Sequence, residues 1–254
     1  MQYARHRSTG YASYFPPGVK WLLIINTGLF VLRFVMMRDD LARIFGLIPR
    51  EVLRGAIWQP VTYMFLHDAE GFFHILFNML ALWMFGPDLE RDWGTQRFLK
   101  YYFLCGVGAA VCVVAAAVVF GGLNTLTIGA SGAILGVLLA YGLTYPNRPV
   151  LFFFLFPIPA KYLVMIIGAI TFLSAYRAGQ QELGYQVFRG DRVSHVAHLG
   201  GMLFGYVYLK TRFVRFNLLG GLRRQYQTWK MQRTKKRFQV YLRKHKSDRD
   251  RWVN

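Results

Sequence analysis

Residues 129–145 read GASGAILGVLLAYGLTY, a run of apolar and small residues with one serine, Ser131, near its start. The run approaches the ~20 residues needed to cross ~30 Å of hydrocarbon, and its reading as a membrane span decides the fold. Comparable runs recur along the 254-residue chain, at roughly 19–37, 73–90, 98–120, 159–176 and 195–211. The expected fold class is therefore an all-α membrane protein, a bundle of six transmembrane helices. Composition agrees, with 54% hydrophobic and 17% aromatic residues. The first apolar run begins only near Val19, with no small-residue cleavage site before it, so it reads as a retained helix and not as a signal peptide.

Three regions are expected: an N-terminal segment (1–18), a membrane domain (19–212) and a basic tail (213–254). The formal net charge is +19 and unevenly spread. From Arg212 onward there are 14 Lys/Arg against two acids, Asp248 and Asp250. Six spans put both termini on one side, and the excess of Lys/Arg places that side in the cytoplasm. Without the tail the count is nearly even, nine to seven, so the tail decides the orientation. A basic tail suits anionic lipid headgroups and fixes topology; RNA or a ribosome is the less favoured partner. The first outer loop, about 38–72, is amphipathic, with Leu41, Ile44, Phe45, Leu47, Ile57 and Trp58 among charges, and is expected at the interface. Phe152–Phe156, before Pro157, reads as an interfacial turn. The last outer loop, 177–194, is polar and glycine-bearing and reads as a lid. Cys105 and Cys112 lie about two helical turns apart, too far for a disulfide, and read as small core residues.

Four groups of residues invite a chemical reading. Ser131 stands in Gly129-Ala130-Ser131-Gly132, but Ala133 breaks the G-x-S-x-G elbow of soluble hydrolases. Alone, a helix-end serine commonly only caps. His198 lies inside an apolar span, where an ionisable side chain is costly and invites a functional reading. Its bland alternative is a hydrogen bond between helices. Gly132 and Gly136 follow the serine, and Gly201 and Gly205 follow the histidine, each pair at four-residue spacing. Small residues so spaced let helix backbones approach closely, as a bond between short side chains requires. His74 and Asn78 share one helix face and both can donate hydrogen bonds. Two donors aimed at one point suit the oxyanion of acyl transfer; a polar clamp between helices is the alternative. His67 and His195 are expected to be interfacial. The sequence has no zinc-spaced Cys/His cluster, no H-E-x-x-H and no nucleotide loop, so no metal or cofactor is expected.

Together the motifs resemble those of the rhomboid intramembrane serine proteases. The resemblance rests on His74-Ile75-Leu76-Phe77-Asn78, Gly86-x-x-x-Glu90-x-x-x-Gly94, Gly129-Ala130-Ser131-Gly132 and Ala197-His198-x-x-Gly201-x-x-x-Gly205, and covers about residues 15–212. It implies a six-helix core with a site open to the outer face, below the membrane surface. It implies Ser131 as nucleophile, His198 as general base, and His74, Asn78 and the Ser131 amide as oxyanion donors. Glu90 would anchor the first outer loop. The fifth span and the loop 177–194 would gate entry of substrates, which would be single-span membrane proteins in the lipid bilayer. A bacterial inner membrane is the expected location.

Two positions depart from the family pattern: Trp58-Gln59 where relatives have Trp-Arg, and Leu135 where several have an aromatic. One other reading competes, an inactive relative that binds membrane clients; an insertase or scaffold role docked on ribosomes through the tail would be accessory to the core.

Overall fold

Helix α1 (Pro17–Met36) starts on a proline, whose missing N–H costs nothing in a first turn and whose fixed φ already suits a helix. The computed structural model describes residues 15–36, 40–68, 72–152, 156–180, 195–211 and 231. It divides into units Met1–Val207 and Tyr208–Asn254. Of the second unit only 208–211 and Met231 are described, so the structure of the basic tail lies otherwise outside the described residues. After α1 come three short helices, α2 (Asp40–Phe45), α3 (Pro49–Leu53) and α4 (Gln59–Thr62), and a 3₁₀ turn (Tyr63–Phe65). Then follow α5 (Phe72–Trp93), α6 (Thr95–Phe120), α7 (Ser131–Thr144), a hairpin of β1 (Pro149–Phe152) and β2 (Phe156–Pro159), α8 (Ala160–Gln180) and α9 (195–211).

Among the described residues three helices are long and apolar enough to cross a membrane: Pro17–Val35, Phe72–Trp93 and Thr95–Phe120. Ser131–Thr144 and Ala160–Ala175 are shorter apolar helices. Apolar side chains cover their outward faces, among them Trp21, Phe34, Val119, Met165 and Phe172. So much exposed hydrocarbon is a liability in water and an asset in lipid. The core lies around α6, which packs against α7, α5, α1, α3 and α4. Its Phe98, Tyr101 and Tyr102 are fully buried, with Leu82 and Leu89 of α5.

The segment between α1 and α5 is folded onto the α6–α7 connection. Leu47 and Thr127 exchange both backbone hydrogen bonds at 2.9 Å, and the Arg50 amide donates to Leu123 O at 2.9 Å. Non-helical backbone near a membrane must find partners within the protein, and here it does. Gln59 stands where an ion-pairing arginine would be expected from the family pattern. It is buried, accepts the Ile48 amide at 2.9 Å and donates to Ile44 O at 3.4 Å, while Trp58 Nε1 donates to Ile44 O at 3.0 Å. Neutral hydrogen bonds thus stiffen this loop. Tyr63 adds a hydrogen bond to Gly106 O at 2.7 Å.

Glu90 corrects one expectation. Among the described residues its carboxylate makes no hydrogen bond to the first outer loop. It accepts the amides of Gly18 at 2.8 Å and Val19 at 2.7 Å, and the Thr95 hydroxyl at 2.7 Å. The reason is electrostatic: the first turn of α1 has orphan amides and the positive end of a dipole, and a buried carboxylate answers both. The rest of the Gly86–Gly94 motif serves the same junction. A Cβ on Gly86 would lie 2.7 Å from Val19 Cγ2, and Gly94, at φ +80°, makes the turn into α6. Glu90→Ala is expected to lower stability by roughly 3 kcal/mol or more, because it strands two buried amides. Thermal unfolding in detergent checks this, with Glu90→Gln losing less because one acceptor oxygen remains.

The stretch after α7 departs from the expected turn. Pro149–Phe152 and Phe156–Pro159 pair antiparallel, with Val150 opposite Ile158. Aromatic and β-branched residues favour the pleat, and a two-stranded hairpin has only edges, where proline is tolerated. Helix α8 continues to Gln180, beyond the expected end of the fifth span. The remainder of the expected lid, from 181, lies outside the described residues, as do 153–155.

Candidate active site

Ser131 is the first residue of α7, and Ala130 at the N-cap offers no side-chain bond. The amides of this first turn therefore lack intrahelical acceptors, and the helix dipole adds partial positive charge around them. Gly129 sets the approach to the helix. It has φ +121°, a region L-residues avoid, and a Cβ there would lie 3.0 Å from His74 Cε1. Its amide donates to Tyr63 O at 2.9 Å, which ties the serine turn to the first loop.

His198, on α9, brings Nε2 to 2.7 Å from Ser131 Oγ. Both side chains are half-buried. Glycines make this distance possible. A Cβ on Gly201 would overlap the carbonyl oxygen of Gly132, and one on Gly132 would lie 3.1 Å from Ala197 O. Farther along, a Cβ on Gly136 would meet Cys105 Sγ and lie 3.3 Å from Gly201 O, and one on Gly205 would lie 3.1 Å from Cys105 Sγ. The helices α7 and α9 thus meet backbone to backbone, with α6 packed into the glycine faces. Tyr101 of α6 fixes the arrangement with a hydrogen bond to Gly136 O at 2.8 Å. The two cysteines are free, and their side chains lie against these faces, Cys105 at Gly136 and Cys112 at Gly200.

His74 and Asn78 occupy one face of α5, as their spacing requires. The His74 ring lies over Gly129, two residues before the serine. Asn78 is buried, and its Nδ2 has no acceptor among the described residues.

Two further histidines surround the site, and sequence reasoning undervalued both. His67 is buried within the protein, at 1% exposure, with its ring 5.5 Å from that of His74. Burial, reinforced by His74, pushes its pKa down to about 4, so it is a neutral neighbour at physiological pH. Arg33 holds its backbone, donating to His67 O at 2.6 Å. His195 is half-buried one turn before His198, with ring centroids 6.1 Å apart. The helical interval of three residues was the available signal for His195. For His67 there was none, because its contact with His74 is made by a loop.

The chain's similarities agree in kind. A family model described as the Rhomboid domain matches residues 54–215. The chain is 30% identical over 142 residues to Rhomboid protein 1, mitochondrial, of Saccharomyces cerevisiae, covering 54% of this chain and 37% of that protein. It is 32% identical over 158 residues to the Rhomboid protease GluP of Bacillus subtilis, covering 61% of this chain and 26% of that protein. With RHOMBOID-like protein 12, mitochondrial, of Arabidopsis thaliana it shares 28% identity over 197 residues, covering 71% of this chain and 54% of that protein. The matched region thus spans about a quarter to a half of these relatives' own length.

Proposed function

The chain belongs to the rhomboid family, and on that premise we propose that it is an intramembrane serine endopeptidase with Ser131 as nucleophile and His198 as general base. The observation that carries this reading is the 2.7 Å contact between His198 Nε2 and Ser131 Oγ. His198 takes the hydroxyl proton as Ser131 Oγ attacks the peptide carbonyl. The tetrahedral intermediate collapses to an acyl-enzyme as His198 gives that proton to the leaving amine. His198 then takes a proton from water as the water oxygen attacks the acyl carbon, and returns it to Ser131 Oγ as the acyl C–O bond breaks and the acid leaves. No buried acid is assigned to orient the imidazole, so this is a dyad; the Gly132–Gly201 contact does the positioning.

The oxyanion is assigned to the Ser131 amide, Asn78 Nδ2 and His74. The orphaned Asn78 donor supports this, as does the dipole at the start of α7.

We read six spans, α1 and α5 to α9, with both termini in the cytoplasm of a bacterium and the membrane domain in its inner membrane. Helix length supports a site inside the bilayer. The 14 residues of α7 rise about 21 Å, some 9 Å short of a ~30 Å hydrocarbon core. With Thr144 at one surface, Ser131 lies about 9 Å beneath the other. Substrates are then single-span membrane proteins, cut where a helix unwinds near its outer end. Substrate entry is assigned to the fifth span with residues 177–194, and anionic headgroups to the basic tail.

In reconstituted liposomes the wild type should cut a single-span reporter carrying a helix-destabilised segment. Asn78→Ala should cut it roughly 10²–10³ times more slowly, the cost of one oxyanion donor. An uncut panel of such reporters would overturn the protease reading, and an unimpaired Asn78→Ala would remove that residue from the oxyanion site.

A further inference from the structure

The first loop holds a cleft that the proposed chemistry does not use. It encloses about 700 Å³ between α2, α3, α4 and residues 124–126. Arg43, Arg54 and Glu51 bring charge to its wall, and Ile44 and Trp58 bring apolar surface. Arg54 forms a 3.4 Å pair with Glu51, both side chains well exposed, which is a weak bond that leaves guanidinium donors unspent. Arg43 has no hydrogen-bond or ion-pair partner among the described residues. The three charges sum to +1.

Beside the cleft the surface turns apolar. Leu53 and Ile57 are 60% and 81% exposed, and Trp58 is 48% exposed with its Nε1 already bonded to Ile44 O. On an integral membrane protein this combination fits the depth where headgroups meet acyl chains: aliphatic residues enter the hydrocarbon, indole sits at the boundary, and arginine faces phosphate.

We propose that this cleft binds the headgroup of an anionic glycerophospholipid. The guanidinium groups of Arg43 and Arg54 donate to the phosphodiester oxygens, and the acyl chains run over Ile57 and Trp58. A single phosphodiester charge complements the cleft's +1. A zwitterionic headgroup would bring an ammonium into a cleft whose own charge is already +1, beside two guanidinium groups. An acidic peptide would meet the arginines but leave the adjoining aliphatic surface uncovered. The bound lipid would fasten α2–α4 to one leaflet, and through the Gly129–Tyr63 bond it would steady the turn that carries Ser131. The inference needs only the membrane location and not the serine chemistry.

The test uses the purified full chain in an uncharged detergent. Dihexanoyl phosphatidylglycerol should raise the thermal midpoint of the wild type saturably, by about 2–4 °C. Dihexanoylglycerol, inorganic phosphate and a polyglutamate peptide should not match it. Native mass spectrometry with long-chain phosphatidylglycerol should find one lipid fewer on the Arg43→Gln/Arg54→Gln variant than on the wild type, and this difference separates the cleft from lipid held by the basic tail. Arg43→Gln alone gives a milder variant for the same count if the double variant folds poorly. Equal lipid counts, or an equal shift from phosphate or peptide, would overturn the proposal. Reporter cleavage by the same variants is read separately, so a failed lipid site and a failed protease reading are distinguishable.

Discussion

Ser131→Ala and His198→Ala are each expected to lower cleavage of a transmembrane reporter by about 10⁴–10⁶, with helix content unchanged. In the proposed mechanism the two groups act on one proton. Without the serine there is no nucleophile to carry the acyl group, and without the imidazole the hydroxyl stays protonated at neutral pH. Because the 2.7 Å contact makes them a unit, the double variant should be scarcely worse than either single one. Losses that multiply would mean that the two residues act independently. Reporter cleavage in liposomes at matched protein density measures this directly.

Gly201→Val is expected to cost at least about 10² in turnover although the substituted residue touches no substrate. Its side chain would meet the Gly132 carbonyl, so α7 and α9 must separate, and the Ser131–His198 contact is the first bond stretched. A displacement of order 1 Å at reacting atoms is enough for such a loss. Overpacking of this kind also costs about 1–3 kcal/mol in stability, so the rate should be measured well below the unfolding midpoint. Gly28→Ala is the control: nothing lies within 4 Å of a Cβ at that position, and activity should persist. Equal rates for Gly201→Val and Gly28→Ala would show that the glycine contact does not set the site's geometry.

The helices were legible in the sequence because hydrocarbon demands long apolar runs. The expected boundaries of 73–90 and 98–120 fall inside the observed Phe72–Trp93 and Thr95–Phe120. The spacing of Gly132, Gly136, Gly201 and Gly205 likewise announced a close helix pair, because residues four apart share a face. What escaped was whatever depends on which ends of which helices meet. Glu90 was named as important, yet its task at the start of α1 depends on α1 and α5 lying side by side, with Gly18 72 residues away in sequence. The burial of His67 depends on a loop folding back beside α5. The β1–β2 hairpin escaped for a different reason: a short apolar run bounded by prolines fits a turn as well as a pair of strands. Gln59 shows the converse. A departure from the family pattern that threatened the stiffness of the first loop is met by hydrogen bonds to Ile44 and Ile48.

The most direct test of the dyad is covalent trapping. A fluorophosphonate added to the reconstituted wild type should leave one adduct, mapped by peptide mass spectrometry to the segment containing Ser131. His198→Ala should slow its formation by orders of magnitude, and Ser131→Ala should abolish it. An adduct on another residue, or equal labelling rates with and without His198, would contradict the account.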